Sequence, residues 1–508
     1  MDYVAAIDIG TQSTRAALVD IRGRIRDIAA SPIGLDAPQP GWAEQDPEQW
    51  WETTVANLAA VMARNPGARV RAVGVGAQMH SLVAVGASGA ALTPRSAIWS
   101  DKRCLDQVRA LLARPDAAEL SRLAGNRPVP AWAGFKMAWL RDHMPAAYEK
   151  ASCLLVAKDF VNLRLCGQAA TDPAEASGSF LCDAASGRWS ATLLAALDVD
   201  RAKLPEVADS SAVIGTVRAE VADRTGLRAG TPVVAGSGDM MCQLLGSGIT
   251  RVGQVALVAG TASIVAVAAA SATPDARLMN LRSASGPWVR FGISDAAGKA
   301  FGWFADQLCP APGGGPMPFG ELTTAAADIE PGAGGLLFFP YLLGERTLGH
   351  ARSRASFVGA TLGHHRPHFI RAVLEGITLE DRRALRCLCP QGPGQPIRCT
   401  GGGADSPVWN QIRADVFGHP VQTLAQTEGG ILGAAILAGV GAGWYPDATT
   451  GAEQVIRPAV TWTPAPGAAA VYEDVFRNFC AVHDALGTLW DDWSPPLRRR
   501  SAPVIIGL

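Results

Sequence analysis

Apolar runs, broken at intervals by polar turns that carry glycine, organise this chain. Tyr3–Ile9 is apolar up to Asp8, Gly10-Thr11-Gln12-Ser13-Thr14 follows, and then comes Arg15–Asp20. That order predicts strand, polar turn and strand, a β-hairpin whose tip carries a carboxylate and hydroxyls. Arg24–Ala29 predicts a further strand. At Asp46-Pro47-Glu48-Gln49 a helix should begin, with Asp46 as N-cap, Pro47 in the first turn and Gln49 completing the capping pattern three residues on. Val70–Val75 predicts a strand leading into Gly76-Ala77-Gln78-Met79-His80. Val233–Ala235 predicts a short strand before a loop, Gly236-Ser237-Gly238-Asp239. Val255–Val258 and Ile264–Val267 read as two buried strands around Gly260-Thr261. Pro396–Thr400 predicts a strand feeding Gly401-Gly402-Gly403, with a helix from Ser406-Pro407 through Phe417. A long helix from about His368 should bury Phe369, Val373, Leu374 and Ile377.

The strand, Gly-Thr and strand device thus occurs twice, at Gly10-Thr11 and at Gly260-Thr261. Its recurrence predicts an α/β protein of two halves facing a shared cleft, each offering one glycine-threonine turn. The halves are expected at residues 1–248 and 249–490, with a terminal tail at 491–508 that includes Arg498-Arg499-Arg500.

A length of 508 residues agrees with two large domains, and 48% hydrophobic against 18% charged residues argues against disorder. Lys and Arg total 45 and Asp and Glu 46, so no global charge argues for nucleic acid or an anionic membrane. Ten cysteines without any CxxC predict free thiols in a reducing cytoplasm, and Met1-Asp2-Tyr3-Val4 lacks the pattern of a signal peptide. Mean hydropathy is +0.13, and Val252–Ala272 has no charge over 21 residues, a length that could span a bilayer. Gly260-Thr261-Ala262-Ser263 interrupts it, which favours the strand pair. The uncharged Gly429–Pro446 is read as close helix packing, its Gly and Ala letting backbones approach.

Glycine turns bearing hydroxyls and backbone N–H groups suit phosphate oxygens, because several donors converge without side-chain crowding. Neither GxxxxGK[ST] nor GxGxxG is present, so a nucleotide reading rests on Gly10-Thr11, Gly260-Thr261 and Gly401–Gly403 together. Asp8, at a strand end, is either a turn cap or a Mg²⁺ ligand acting through water, since Mg²⁺ usually keeps waters and takes few carboxylates. Asp239 in Gly-Ser-Gly-Asp could act as a general base toward an alcohol during phosphoryl transfer, or simply bond its own loop. His364, His365 and His368 cluster at a helix start without cysteine or paired-carboxylate partners, and are read as solvent or helix-start histidines rather than a metal site.

These pieces together resemble the FGGY carbohydrate kinases of the sugar-kinase/actin-like superfamily, and within them the xylulokinases. The resemblance runs from about Val4 to about Gly443. It is carried by Asp8-Ile9-Gly10-Thr11, Gly76–His80, Ile98-Trp99-Ser100-Asp101-Lys102-Arg103, Gly236–Asp239, Gly260-Thr261, Phe339–Thr347 and Gly401-Gly402-Gly403-Ala404. Lys136–His143 and Ala355–Glu375 follow the two longer family signatures. The resemblance implies two RNase H-like domains around a central cleft, sugar chiefly on the N-terminal side and ATP on the C-terminal side. It makes Asp239 the catalytic base and Gln78, Met79, His80, Trp99, Asp101 and Asp239 sugar contacts. Thr11, Gln12, Gly260, Thr261, Gly298, Gly402 and Gly403 fall to ATP, and Asp8 to Mg²⁺. Small-molecule sugar and ATP are the implied partners, with neither nucleic acid nor membrane, and a homodimer is left open.

Four departures bear on the sugar. Ser81 replaces Gly, Met240 replaces an Asn beside the base, Ala262-Ser263 replaces Ser-Gly, and Leu348 replaces Pro. The implied reaction is phosphorylation of D-xylulose. A kinase for ribulose, ribitol or another polyol, a non-catalytic sugar sensor and an actin-like ATPase are the alternatives.

Overall fold

The computed structural model describes residues 1–273, 275, 277–311, 315, 317–345 and 352–492. In the first half the elements that matter are β1 (Asp2–Ile9), β2 (Ser13–Val19), β3 (Ile25–Pro32), α1 (Pro47–Arg64), β4 (Arg69–Ala77), α2 (Ala157–Cys166), α3 (Pro173–Ser177), β5 (Val213–Thr216), β6 (Pro232–Val234), β7 (Ser237–Gly238) and α4 (Asp239–Gly246). The second half has β8 (Val255–Ala259), β9 (Ser263–Ala269), β10 (Met279–Arg282), β11 (Trp288–Ser294), α5 (Ala297–Leu308), α6 (Arg366–Leu388), β12 (Ile397–Thr400), α7 (Pro407–Phe417), β13 (Val421–Leu424), α8 (Gly429–Gly441), β14 (Pro458–Trp462) and α9 (Ala468–Asp492).

The two halves repeat one sheet. The first runs β5-β6-β4-β1-β2-β3 and the second β10-β11-β9-β8-β12-β13-β14. In each, a hairpin strand pairs antiparallel with its neighbour (β1 with β2, β8 with β9), and a parallel strand joins the other edge of the first (β4 on β1, β12 on β8). β6 and β13 extend the parallel side. The duplicated Gly-Thr turn is therefore the hairpin tip of each sheet, with Ile9 opposite Thr14 in one and Ala259 opposite Ser263 in the other. β1 is buried on both faces from Val4 to Ile9, as expected of a strand in mid-sheet with helices above and below.

α1 begins where its caps predict, with Asp46 Oδ1 accepting the Glu48 N–H at 2.9 Å, and lays Trp50, Trp51, Val55, Leu58 and Val61 into the core of the first half. Gln49 departs from the predicted capping role: its Oε1 accepts the Gly34 N–H at 2.9 Å, tying the helix to the chain after β3. In α6, Val373, Leu374 and Ile377 are buried as expected, whereas Phe369 at the first turn is half-buried. The histidines before it serve that helix start, His365 N–H donating to His368 Nδ1 at 3.2 Å. Among the described residues no group of metal-ligating side chains forms, and no helix is long and apolar enough to cross a membrane. All ten cysteines are free thiols. The helix α9 runs through Asp491 and Asp492, which the sequence assigned to the tail; the rest of that tail, 493–508, and the motif residues Arg346, Thr347 and Leu348 lie outside the described residues.

The glycine-rich helix α8 lies against the first sheet although it follows the second in sequence. Its Ala434 carbonyl sits where any Cβ at Gly74 would clash, at 2.4 Å. Against α4 the approach is closer. A methyl at Gly246 would stand 2.0 Å from the Gly429 carbonyl oxygen, and one at Gly433 would stand 2.0 Å from that of Cys242. Backbone against backbone is possible only with glycine here. Gly433→Ala is expected to lower stability by about 1–3 kcal/mol through this overpacking, read as a lower urea midpoint.

Candidate active site

The tip of the first hairpin brings charge to the ends of the strands. Asp8 and Arg15 are direct cross-strand partners, so their side chains share one face of the hairpin. Arg15 ion-pairs with Asp8 and with Glu428, the residue preceding α8. Burial pushes the Asp8 carboxyl above its ordinary value, and the Arg15 charge pulls it back only in part. A side chain at Gly430 would press on Asp8, at 3.0 Å from Oδ2, so glycine in the first turn of α8 leaves the carboxylate its space.

Thr11 at the tip is half-buried, and its hydroxyl accepts the Trp99 indole N–H at 3.1 Å. Gln45 Nε2 donates to the Thr11 carbonyl at 2.7 Å, and Gln45 Oε1 receives both the Trp50 N–H and the Gln78 amide. Gln78 continues β4 past its end, its own N–H bonding the Ile9 carbonyl at 2.7 Å, and its Oε1 is buried without a partner. The expected residues Thr11, Trp99 and Gln78 are thus one hydrogen-bonded group. Gln12 is exposed at the tip beside them. Asp101 is placed differently. It is fully buried, and its oxygens hold the Ala43 N–H, the Arg103 N–H and the Arg103 guanidinium at 2.7 to 2.9 Å. Its carboxylate braces the loop that carries Trp99.

His80 has a left-handed backbone, φ 63°, a conformation that costs of order 1–3 kcal/mol for a residue with a Cβ. Its ring packs edge-on to Trp132 with centroids 5.0 Å apart, above Gly178, where a methyl would meet the ring at 2.3 Å. The backbone N–H of His80 donates to Glu175 Oε2 at 3.2 Å, and Nδ1 is 3.8 Å from the same oxygen. These are not an ion pair. Burial, and then the Lys136 ammonium, push His80 down to about 3, while burial and the carboxylates of Asp172 and Asp159 hold Glu175 well above the usual carboxylate range. The imidazole is neutral, with Nδ1 buried and unpartnered. Met79 is buried against Gly238, the residue before the candidate base.

Asp239 is the first residue of α4 rather than part of a loop. Gly238 ends β7 beside Ala77, and Met241, Leu244 and Leu245 then bury one face of the helix. Asp239 Oδ1 accepts the Met240 N–H at 2.7 Å. Burial, and next the Asp8 carboxylate, push Asp239 up to about 7 against that hydrogen bond. A carboxylate half-buried beside another is the arrangement that prepares a base for work near neutrality.

The second half meets α4 directly, Gln243 Nε2 donating to Thr400 Oγ1 at 2.8 Å, one residue before the triple glycine. Gly401 has φ 88° and lies over the Ala259 carbonyl, where a Cβ would fall at 2.7 Å. Gly403 also packs on Ala259, whereas a Cβ at Gly402 would meet nothing within 4 Å. Gly260 and Thr261 are exposed at the second hairpin tip, and the N-terminus of α5 docks on them. Gly298 N–H bonds the Gly260 carbonyl at 3.2 Å, Lys299 N–H bonds the Thr261 carbonyl at 3.0 Å, and a methyl at Gly298 would lie 2.4 Å from the Gly260 oxygen. Gly260, Thr261 and Gly298 are therefore one surface, with Gly402 and Gly403 beside the base of the same hairpin. A cavity of about 920 Å³ lined by Trp189, Arg201, Ser210 and Arg282 lies elsewhere and includes none of these residues.

Two family models of carbohydrate kinases match the chain that builds this site. The N-terminal domain of the FGGY family of carbohydrate kinases matches residues 3–246, and its C-terminal domain matches residues 255–442. The chain belongs to the FGGY family of carbohydrate kinases. It is similar to the xylulose kinase of Bacillus subtilis (strain 168), 30% identical over 493 residues that cover 95% of this chain and 97% of that protein. The crystal structure of xylulose kinase from Rhodospirillum rubrum superposes with a TM-score of 0.87 at 33% identity, over 96% of this chain and 99% of the other. Gluconate kinase from Lactobacillus acidophilus superposes with a TM-score of 0.90 at 26% identity, over 97% and 100%. This FGGY protein is thus a sugar kinase, a phosphotransferase.

Several site residues escaped the sequence reading. Arg15 was discoverable, since it opens the predicted strand that returns from the turn alongside Asp8. Gln45 and Glu428 had no local signal. Lys158, Asp159, Asp172 and Glu175 form a buried group that reaches His80 through Glu175 and Ser237 through Asp172, and their local segments gave no sign of their meeting.

Proposed function

We propose that this sugar kinase transfers the terminal phosphoryl group of ATP to D-xylulose, giving D-xylulose 5-phosphate, with Asp239 as general base. The observation that carries the reading is Asp239 itself: a carboxyl at a helix start, poised near 7 beside Asp8, on a helix that touches both halves. In the reaction the terminal sugar oxygen attacks the γ-phosphorus, the bond from that phosphorus to the β,γ-bridging oxygen breaks, ADP leaves, and the hydroxyl proton passes to Asp239. Gln78, Met79, His80 and Trp99 face the sugar in this reading, Gln78 Oε1 and the neutral His80 taking its hydroxyls, with Asp101 supporting Trp99. The Gly-Thr turns at Thr11 with Gln12 and at Gly260-Thr261, together with Gly402 and Gly403, offer ATP backbone N–H groups and hydroxyls, and Gly298, its own N–H bonded to the Gly260 carbonyl, brings α5 against the second turn with no side chain in the way.

Asp8 suits Mg²⁺: a buried carboxylate close enough to Asp239 to raise it offers the hard oxygen that a cation keeping most of its waters takes. Bound there, Mg²⁺ would supply positive charge toward the phosphate oxygens. The xylulose kinase relatives support the choice of sugar. So does the charge around the Gln78–His80 segment: His80 is neutral and the Lys136 ammonium is held by the Pro130 and Ala131 carbonyls, which favours an uncharged ketose over a sugar acid.

Coupled ADP release over a panel of D-xylulose, ribulose, ribitol, glycerol and gluconate tests the proposal. D-Xylulose should give the highest kcat/KM; a higher value for any other member would reassign the substrate. The rate should also report the base. Because Asp239 must be ionised to accept a proton and its folded value lies near 7, kcat/KM at low nucleotide should fall about tenfold per pH unit below that point and level off above it. A profile flat down to pH 5 would contradict the assignment.

A further inference from the structure

The backbone that delivers Asp239 and the backbone that delivers His80 are held by the same buried carboxylate. Asp172 is fully buried. Its Oδ2 accepts the Ser237 hydroxyl at 2.7 Å, the Ser210 hydroxyl at 3.0 Å and the Ala174 N–H at 3.3 Å, and its Oδ1 accepts the Glu175 N–H at 3.4 Å. Ser237 lies in β7, two residues before Asp239, and Ser210 receives the Gly236 N–H on its carbonyl at 2.8 Å. Those bonds grip the segment that ends in the base. Through the Glu175 N–H, Asp172 caps α3, and Glu175 in turn accepts the His80 N–H and keeps that residue in its left-handed conformation. Lys158 completes the group, with Nζ 3.6 Å from Asp172 Oδ1, 2.5 Å from Asp159 Oδ1 and 3.1 Å from the Ala235 carbonyl. Asn162 holds that same carbonyl at 2.8 Å.

We propose that Asp172 is a positioning residue that fixes the base Asp239 and the sugar-facing His80 relative to one another, through Ser237 on one side and Glu175 on the other. The inference rests on the kinase reading above. A buried charge with this many hydrogen bonds admits one arrangement of its partners, and the left-handed His80 needs such a brace to persist. Proton transfer is sensitive to placement: displacement of about 1 Å far from the reacting atoms can cost roughly a hundredfold.

The two branches separate in kinetics. Ser237→Ala releases only the base, so kcat should fall about ten- to a hundredfold with the KM for D-xylulose unchanged. Glu175→Ala releases only His80, so the KM for D-xylulose should rise about tenfold with the KM for ATP unchanged, and Glu175→Gln, which keeps an acceptor for the His80 N–H, should restore it. Asp172→Asn should change both constants, and adding Ser237→Ala to it should lower kcat by much less than the same change does in the wild type. All variants are compared at a temperature where circular dichroism shows them folded. If Asp172→Asn does not fold, Ser237→Ala and the Glu175 pair decide alone. Unchanged constants in Ser237→Ala, a Glu175→Ala defect that Gln fails to relieve, or multiplicative effects of Asp172→Asn and Ser237→Ala would overturn the proposal. Wild-type protein showing no sugar-stimulated ADP release would instead overturn the kinase reading, so the two failures are distinguishable.

Discussion

Asp239→Asn should reduce kcat with D-xylulose by about 10²- to 10⁴-fold, the range expected when a general base is removed, while KM for sugar and ATP change little. Asparagine keeps the size of the side chain and an oxygen to receive the Met240 N–H, so the start of α4 stays as it is. What it lacks is the capacity to take the hydroxyl proton. The variant also carries its own folding control. The folded pKa of Asp239 lies above its ordinary value, so its ionised form is disfavoured by the fold, and that loss of stability grows as pH rises from the ordinary carboxylate range through about 7. Removing the charge should leave the melting temperature at pH 8 equal to or above that of the wild type. An inactive variant that melts lower would point to structural damage, and near-normal turnover by a folded variant would remove Asp239 from the chemistry.

Asp8→Asn should be the second large effect, with kcat down by about a hundredfold or more and the Mg²⁺ concentration for half-maximal rate raised at least about tenfold. The substitution keeps the shape beneath Gly430 and leaves Arg15 paired with Glu428, but it removes the anionic oxygen available to a hydrated cation. It also removes the charge that helps to raise Asp239, so the acid limb of kcat/KM should move below 7. A magnesium titration at fixed ATP, repeated at several pH values, reads both changes. Wild-type magnesium dependence in this variant would show that Asp8 serves only as partner to Arg15.

The two hairpins were legible because each pairs buried strands with a polar glycine tip, and that pattern repeats within the chain. The helix starts at Asp46 and Ser406 were legible for the same local reason, a capping side chain followed by proline. What local pattern could not show was which distant group a polar side chain would find. Gln49 reaches Gly34 rather than its own helix start, and Asp101 spends its oxygens on Arg103 and Ala43, although the motif around it suggested a ligand. Asp239 read as a loop residue because Gly236 and Gly238 surround it with turn formers, while the helix that it opens draws its stability from burial against α8, far away in sequence. The cross-half contacts, Glu428 on Arg15 and Gln243 on Thr400, are tertiary events with no periodic trace.

The proposed reaction needs one encounter: the Asp239 carboxylate of the first half with a sugar hydroxyl lined up on a phosphate held by the second. A crystal structure with D-xylulose and a non-hydrolysable ATP analogue bound together measures it directly. An Asp239 oxygen should lie about 2.6–3.2 Å from the terminal hydroxyl, with that hydroxyl facing the γ-phosphorus in line. A ternary complex with the halves closed and Asp239 turned away from the hydroxyl would contradict it.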